Sequence, residues 1–305
     1  MNRTPRPTLT VPIHLLLFFV AVVASGSPVG SGQGNPAGSP PSPSRYVGLP
    51  EEELFQPLLG DPKEPRTFAT VLHVRAGDKS TTVGAVGFGE RLGIIERRGL
   101  TPTDGWQFGL AGGVFAQFDL ETDSSDLINA DYVIGLPFTW RRGVWSGRVS
   151  LYHQSSHLGD EFLLHQKPER INLSFEAIEV LVARDLGPWR FFGGGEYLID
   201  PEPATLASGV LHAGVEYRHP RRSFGIGRIG GGRWVGAIDM KALEEHAWKV
   251  AWSLRAGLEL SPVDARPGTR RRWSLMLEIY EGPSPWGQFY DTDASYAGLG
   301  IHYSL

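Results

Sequence analysis

Residues 147–155 read GRVSLYHQS, and polar and apolar side chains alternate along them. Val149 and Leu151 stand at odd positions, with Arg148 and Ser150 between them. Successive side chains of a β-strand point to opposite faces of a sheet, so this stretch predicts a strand with one apolar and one polar face. A helix would instead group apolar residues at spacings of three and four.

The same alternation recurs from Phe68 to the end of the chain, for example at 191–198, 210–217, 252–260 and 273–280. We count about twelve such segments, each near the ~9–11 residues that a tilted strand needs to cross a bilayer. An open sheet edge leaves backbone groups unsatisfied in hydrocarbon, so the sheet must close. The predicted fold is therefore all-β: a transmembrane antiparallel up-and-down β-barrel over residues 68–305.

The last residues, 297–305, are apolar at every second position up to Leu305. This pattern resembles the terminal strand by which outer-membrane barrels are recognised and inserted, although that strand usually ends in an aromatic residue. The expected location is the outer membrane of a Gram-negative bacterium. The expected partners are outer-membrane lipids and, during insertion, the barrel-assembly machinery.

The residues before the barrel fall into three predicted parts. Residues 1–26 carry early arginines, a short apolar run and small residues, the order of a secretory signal peptide. Residues 27–45 are rich in Pro, Gly and Ser, which predicts a disordered linker. Residues 46–67 mix acidic residues, prolines and leucines, and we expect an irregular lead-in segment or a short helix on the periplasmic side.

Composition excludes several classes of protein. The chain has no cysteine, so it has neither a disulfide framework nor a lipid-modified cysteine. Its net charge is -4 and no basic block stands out, which argues against a nucleic-acid partner. A single chain can close the predicted barrel, and a homodimer is left open.

Closure with an even number of strands places both chain termini of the barrel in the periplasm. The short turns at 141–143 and 186–188 are then periplasmic, and the loops at 119–126 and 156–170 are external. The predicted strand at 147–155 runs outward, so its far end lies at the depth of the outer leaflet.

His153 and Ser155 share the apolar face of this strand, at its outer end. A neutral histidine can take the proton of a serine hydroxyl, and the oxygen can then attack an ester carbonyl. A third polar group must hold the imidazole, and Asn172 is the candidate. The alternative is a hydrogen-bonded pair near the lipid headgroups with no catalytic role.

Tyr152-His153-Gln154-Ser155, followed by Asn172, resembles the Tyr-x-His-x-Ser motif and later asparagine of outer-membrane phospholipase A. Enzymes that deacylate lipid A carry a similar His-x-Ser. The resemblance implies that Ser155 is the nucleophile, His153 the base and Asn172 the orienting residue. It also implies calcium near the loop after the serine, where Asp160 and Glu161 are the candidate ligands. Ser156-His157-Leu158-Gly159 departs from the Ser-Asn-Gly of that family, and the spacing to Asn172 is longer.

Most of the chain after the linker resembles the domain-of-unknown-function 1207 family of bacterial outer-membrane proteins. The likeness is carried by LFQPLLGDPKEPR at 54–66, VFAQFDL at 114–120, YHQSSHLGDEF at 152–162 and YEGPSPWGQFY at 280–290. It supplies no activity.

Two classes of function therefore stand side by side. One is a serine-type lipid esterase of the outer leaflet, similar to phospholipase A or to the lipid A deacylases. The other is a non-enzymatic barrel, either a narrow channel or a structural or surface-binding protein. Arg148 and Glu176 are expected to point inward and fill the lumen, which argues against a wide channel.

Overall fold

The computed structural model describes residues 45–99, 101, 103–168, 171–226, 230–262 and 272–304. The predicted signal peptide, nearly all of the predicted linker and Leu305 lie outside these residues.

The described chain forms fourteen strands and one short helix. Strands β1 to β14 span, in chain order, Tyr46–Gly48, Thr67–Ala76, Lys79–Arg98, Gly105–Asp119, Leu127–Arg142, Trp145–Leu158, Leu173–Leu186, Trp189–Glu202, Gly209–Arg218, Phe224–Ile226, Gly230–Leu243, Lys249–Pro262, Arg272–Pro283 and Asp293–Ser304. Helix α1 spans Asp160–Gln166, and 3-10 turns lie at Glu244–His246 and Gly287–Phe289. No helix in the described ranges is long and apolar enough to cross a membrane.

Twelve of these strands form a closed antiparallel barrel, as predicted. Each pairs with its neighbour along the chain, and β14 closes the ring by pairing with β2, from Ser295 opposite Arg75 to Tyr303 opposite Thr67. The short strands β1 and β10 lie outside this ring and pair with β3 and β11. Closure leaves no edge strand in the ring.

Strand β2 begins and strand β14 ends at one end of the barrel, here called the terminal end. The turns after β5 and β7 open at this end, as predicted. The opposite end, here called the loop end, carries helix α1, the loop at 120–126 and the β13–β14 connection at 284–292.

The barrel is apolar outside and polar inside. Large exposed side chains on its outer surface include Leu136, Leu151 and Ile178. Arg148 and Glu179 point inward and are buried. This is the pattern of a barrel that meets hydrocarbon with its outer wall.

Residues 54–66 of the lead-in segment lie inside the barrel, whereas Leu49 before them is 78% exposed. The sequence had predicted a segment that leads into the barrel on the periplasmic side. We call residues 54–66 the plug. Phe55 and Leu58 in the plug are at most 1% exposed. The plug binds the wall through its backbone: Arg190 donates to the carbonyl of Gln56 over 2.8 Å. The barrel therefore encloses the segment that precedes its first strand.

Buried ion pairs fix the plug to the wall. The Arg148 guanidinium donates to both oxygens of Glu179 on β7, at 2.6 and 2.9 Å. It also donates to Glu64 of the plug, at 3.1 to 3.3 Å. Phe55 lies between the cations of Arg148 and Arg190, which are 4.9 and 4.4 Å from the ring centroid. Side chains of the plug and the wall thus fill the lumen near the terminal end. The inward position predicted for Arg148 is confirmed.

Lys63 connects the upper part of the plug to the loop end. Its ammonium pairs with Asp131 and lies 4.7 Å from the ring centroids of both Phe115 and Trp286. Asp131 also accepts the backbone N–H of Gly287 over 3.1 Å, which holds the β13–β14 connection inward. A cavity of about 210 Å³ lies in the lumen between the plug and this connection.

Candidate active site on the outer wall

The outer wall of the barrel is interrupted by a polar cluster at the loop end of β6 and β7. Odd residues of β6 and even residues of β7 point outward in these strands. His153 lies directly opposite Glu176, and Ser155 directly opposite Ser174. Directly opposed side chains on one face have Cβ atoms about 4.5–5.5 Å apart, so these four residues form one cluster.

His153 is oriented by a carboxylate. Its Nδ1 lies 2.9 Å from Oε1 of Glu176. An ionised carboxylate only accepts hydrogen bonds, so the Nδ1–H donates and Nε2 carries the free lone pair. The side chains are 40% and 49% exposed, so the pair lies on the membrane-facing surface rather than in the core. In serine hydrolases a carboxylate fixes one nitrogen of the catalytic base in this way.

Ser155 lies two residues beyond His153 on the same outward face, as the alternation predicted. Two residues along a strand span about 6.4–6.8 Å, a distance that a histidine side chain can bridge. The described hydrogen bonds include none between His153 and the Ser155 hydroxyl. Catalytic hydrogen bonds are often long without substrate and tighten only when substrate binds.

Asn172 does not contact His153. It is exposed just before β7, and its Nδ2 donates to Glu202. The position that the resemblance assigned to Asn172 is filled by Glu176. Glu176 was expected to point inward, and that expectation is wrong.

The residue numbering of β7 could have identified Glu176. Arg148 points inward and needs a buried carboxylate. Asp185 lies at the terminal end of β7, and the other two acidic residues of this strand are Glu176 and Glu179. These two have opposite parity, so only one can face the lumen. Because Glu179 binds Arg148, Glu176 must face outward, and it meets His153.

The polar cluster lies at the edge of the apolar outer wall that is nearer to the loop end. Ile134 lies opposite His153 on β5 and is exposed. Tyr132 lies opposite Ser155, and its ring packs edge-on against His157 with centroids 5.9 Å apart. A polar cluster between apolar side chains and an aromatic pair fits the boundary between acyl chains and headgroups.

Asp160 and Glu161 form the first turn of α1, directly after β6. Both are exposed, and no described hydrogen bond or ion pair engages either side chain. His165 of α1 binds Asp126 across a 2.7 Å contact. Hydrogen bonds from Ser124 and His165 hold the pKa of Asp126 below its usual value.

Solved structures with the same architecture include two phospholipases. The outer membrane phospholipase A of Escherichia coli is 13% identical over 80% of this chain and 93% of its own, with a TM-score of 0.50. The Salmonella typhi outer membrane phospholipase dimer with bound calcium is 13% identical over the same shares, with a TM-score of 0.49. The β domain of the Bordetella autotransporter BrkA is 11% identical over 79% of this chain and 97% of its own, with a TM-score of 0.39. At 13% identity, the likeness to the Escherichia coli protein shows the fold alone.

No curated protein sequence matches the chain. The closed barrel with an apolar outer wall places the protein in the outer membrane of a Gram-negative bacterium, in contact with its lipids. Outer-membrane barrels have short periplasmic turns and longer external loops, so we expect the terminal end to be periplasmic and the loop end external. Residues 45–305 match the family described as protein of unknown function, DUF1207, and the chain belongs to that family.

Proposed function

We propose that this barrel is a serine-type lipid esterase of the outer leaflet. The observation that carries the proposal is the 2.9 Å contact between His153 and Glu176, beside Ser155 on the outer wall. Polar and ionisable side chains are costly on a lipid-facing surface, so a cluster there points to a function. The filled lumen supports an activity on the wall over the channel alternative.

The proposed chemistry is acyl transfer in two steps. Nε2 of His153 takes the proton from the Ser155 hydroxyl while the oxygen attacks the ester carbonyl. The imidazolium then gives that proton to the departing alcohol, which leaves an acyl group on Ser155. A water molecule, deprotonated by the same nitrogen, releases the fatty acid and restores the serine. Glu176 stabilises the imidazolium and keeps Nε2 directed at the hydroxyl.

Ser174 is the proposed donor to the oxyanion. It lies directly opposite Ser155, so its hydroxyl is on the same face and one strand away. The backbone N–H groups of β6 and β7 are engaged in the ladder between the strands. The Ser174 hydroxyl can therefore donate a hydrogen bond to the oxyanion, which the backbone N–H groups of the two strands cannot.

The substrate is proposed to be an acyl ester of a phospholipid or of lipid A. Both present ester carbonyls just below the headgroups, at the level where the cluster meets the apolar wall. The adjacent Leu151 and Ile178 give an acyl chain an apolar surface.

Calcium belongs to the proposal through the resemblance to phospholipase A. Asp160 and Glu161 supply two free carboxylates after the nucleophile's strand, whereas calcium takes six to eight oxygens. These two residues supply only part of a calcium site, and the proposed acyl transfer does not involve the ion. Insertion by the barrel-assembly machinery is proposed from the alternating terminal strand at 297–305, and a homodimer is proposed as well.

Ser155→Ala tests the proposal. Fatty-acid release from mixed micelles of phospholipid or lipid A, measured with calcium and with chelator, should fall at least about 10²-fold because the nucleophile is lost. Monomer and any dimer are separated and assayed individually. The matched control is Ser295→Ala, another outward-facing serine on β14, which should keep full activity. Equal release by Ser155→Ala and wild type contradicts the proposal.

A further inference from the structure

Three side chains that can bind a metal ion meet on the inner face of the barrel wall, opposite to the outer face that carries Ser155. Glu179 of β7, Glu196 of β8 and His212 of β9 offer atoms that all lie within 4.8 Å of one another. Glu179 and Glu196 are directly opposed across their strands, and both line the cavity above the plug. His212 is only 2% exposed.

His212 is oriented as a metal ligand is. Its Nε2 lies 2.8 Å from Oδ2 of Asp239, so the Nε2–H donates to the carboxylate and the lone pair is on Nδ1. This Nδ1 is buried, has no hydrogen-bond partner and lies 4.0 Å from Oε1 of Glu196. A metal-bound histidine characteristically donates its other N–H to a carboxylate, which fixes the ring. An orphaned buried acceptor is otherwise costly.

The two cations now on the ligand carboxylates have other partners. Arg148 binds Glu179 but also donates to Glu64 through both of its terminal nitrogens. Lys241 lies 3.0 Å from Glu196 and 3.4 Å from Asp61. With a metal ion on Glu179 and Glu196, Arg148 would keep its pair with Glu64, which it shares with Arg91, and Lys241 would keep its pair with Asp61.

We infer that Glu179, Glu196 and His212 form a binding site for a divalent first-row transition ion of the zinc class inside the barrel. Ligand distances of about 2.0–2.2 Å place two ligands on one ion at most about 4.4 Å apart, so small side-chain rotations close the present spacing. One imidazole nitrogen with two carboxylate oxygens favours such an ion over calcium, which prefers oxygen alone. The site does not depend on the esterase proposal.

Titration of the untagged, full-length barrel in detergent with Zn²⁺ or Co²⁺ tests the inference. We expect one ion per barrel, with a change in the Co²⁺ absorption spectrum on binding. His212→Gln should abolish that change and weaken Zn²⁺ binding at least about tenfold. Asp239→Asn should weaken binding about 10–100-fold by releasing the ring.

His302→Gln is the matched control. His302 is also buried, binds a carboxylate, Glu278, over 2.7 Å and has an unpartnered Nδ1, but it belongs to no such three-ligand group among the described residues. The His302→Gln barrel should bind Zn²⁺ as the wild-type barrel does, and so should the Ser155→Ala barrel. Identical titrations for the His212 and His302 variants, or binding of Ca²⁺ in place of Zn²⁺, would overturn the inference. A His212 variant that fails to fold leaves Asp239→Asn and the Co²⁺ spectrum to give the answer.

Discussion

Glu176→Gln is expected to lower kcat by roughly 10²–10⁴-fold while leaving the barrel folded. The amide presents an N–H as readily as a carbonyl to Nδ1, and it cannot stabilise the imidazolium. Replacing the carboxylate of a catalytic triad by its amide costs up to about 10⁴ in kcat through the wrong histidine tautomer. The residue is 49% exposed, so the change disturbs no core packing.

Asn172→Ala is the matched comparison, because it removes the residue that the phospholipase resemblance would assign to this role. Asn172 binds Glu202 and not His153, so kcat should stay within a few-fold of wild type. Initial rates of fatty-acid release over a range of substrate concentrations separate kcat from KM. A large loss with Asn172→Ala and a small one with Glu176→Gln would restore the asparagine assignment.

Arg148→Met is expected to cost about 3–5 kcal/mol of stability. The substitution keeps an apolar stem but leaves Glu64 and Glu179 as buried carboxylates without their shared cation, the situation in which broken buried pairs are most destabilising. The midpoint of guanidinium unfolding in detergent reports the change. Removing the unpaired charge with Glu179→Gln in the Arg148→Met background should recover part of it, because Glu64 keeps its ion pair with Arg91.

Arg184→Met is the control for this prediction. Arg184 is exposed on the outer wall, where its guanidinium lies 5.1 Å from the ring centroid of Trp145. An exposed cation–π contact contributes about 0.5–1 kcal/mol. If the Arg148 and Arg184 variants unfold at the same denaturant concentration, the ion pairs between plug and wall do not stabilise the barrel.

The barrel was predictable because its two faces meet different surroundings. Alternation in residues 147–155 assigned Arg148 to the lumen and Ser155 to the membrane, and both lie there. The number of strands and the end at which each turn opens followed from alternation, turn residues and closure. These signals are local, because each strand shows its own alternation of polar and apolar side chains.

The plug could not be predicted in the same way. Residues 54–66 have no strand or helix period, and their position is fixed by contacts with distant residues, such as Glu64 with Arg148, 84 positions away. The apolar Phe55 and Leu58 were the available hint, since a solvent-exposed lead-in would not need them. Glu176 was missed for a related reason: the motif directed attention to Asn172, whereas the register between β6 and β7 determines what lies opposite His153.

The central claim is that Ser155 is a nucleophile activated by His153 on the membrane face of the barrel. Labelling with a fluorophosphonate that carries a long alkyl chain, followed by peptide mass spectrometry, tests it without knowledge of the substrate. We predict about one adduct per barrel, on Ser155, and none in His153→Ala. An unmodified Ser155, under micelle conditions in which a known serine hydrolase is fully labelled, would contradict the claim.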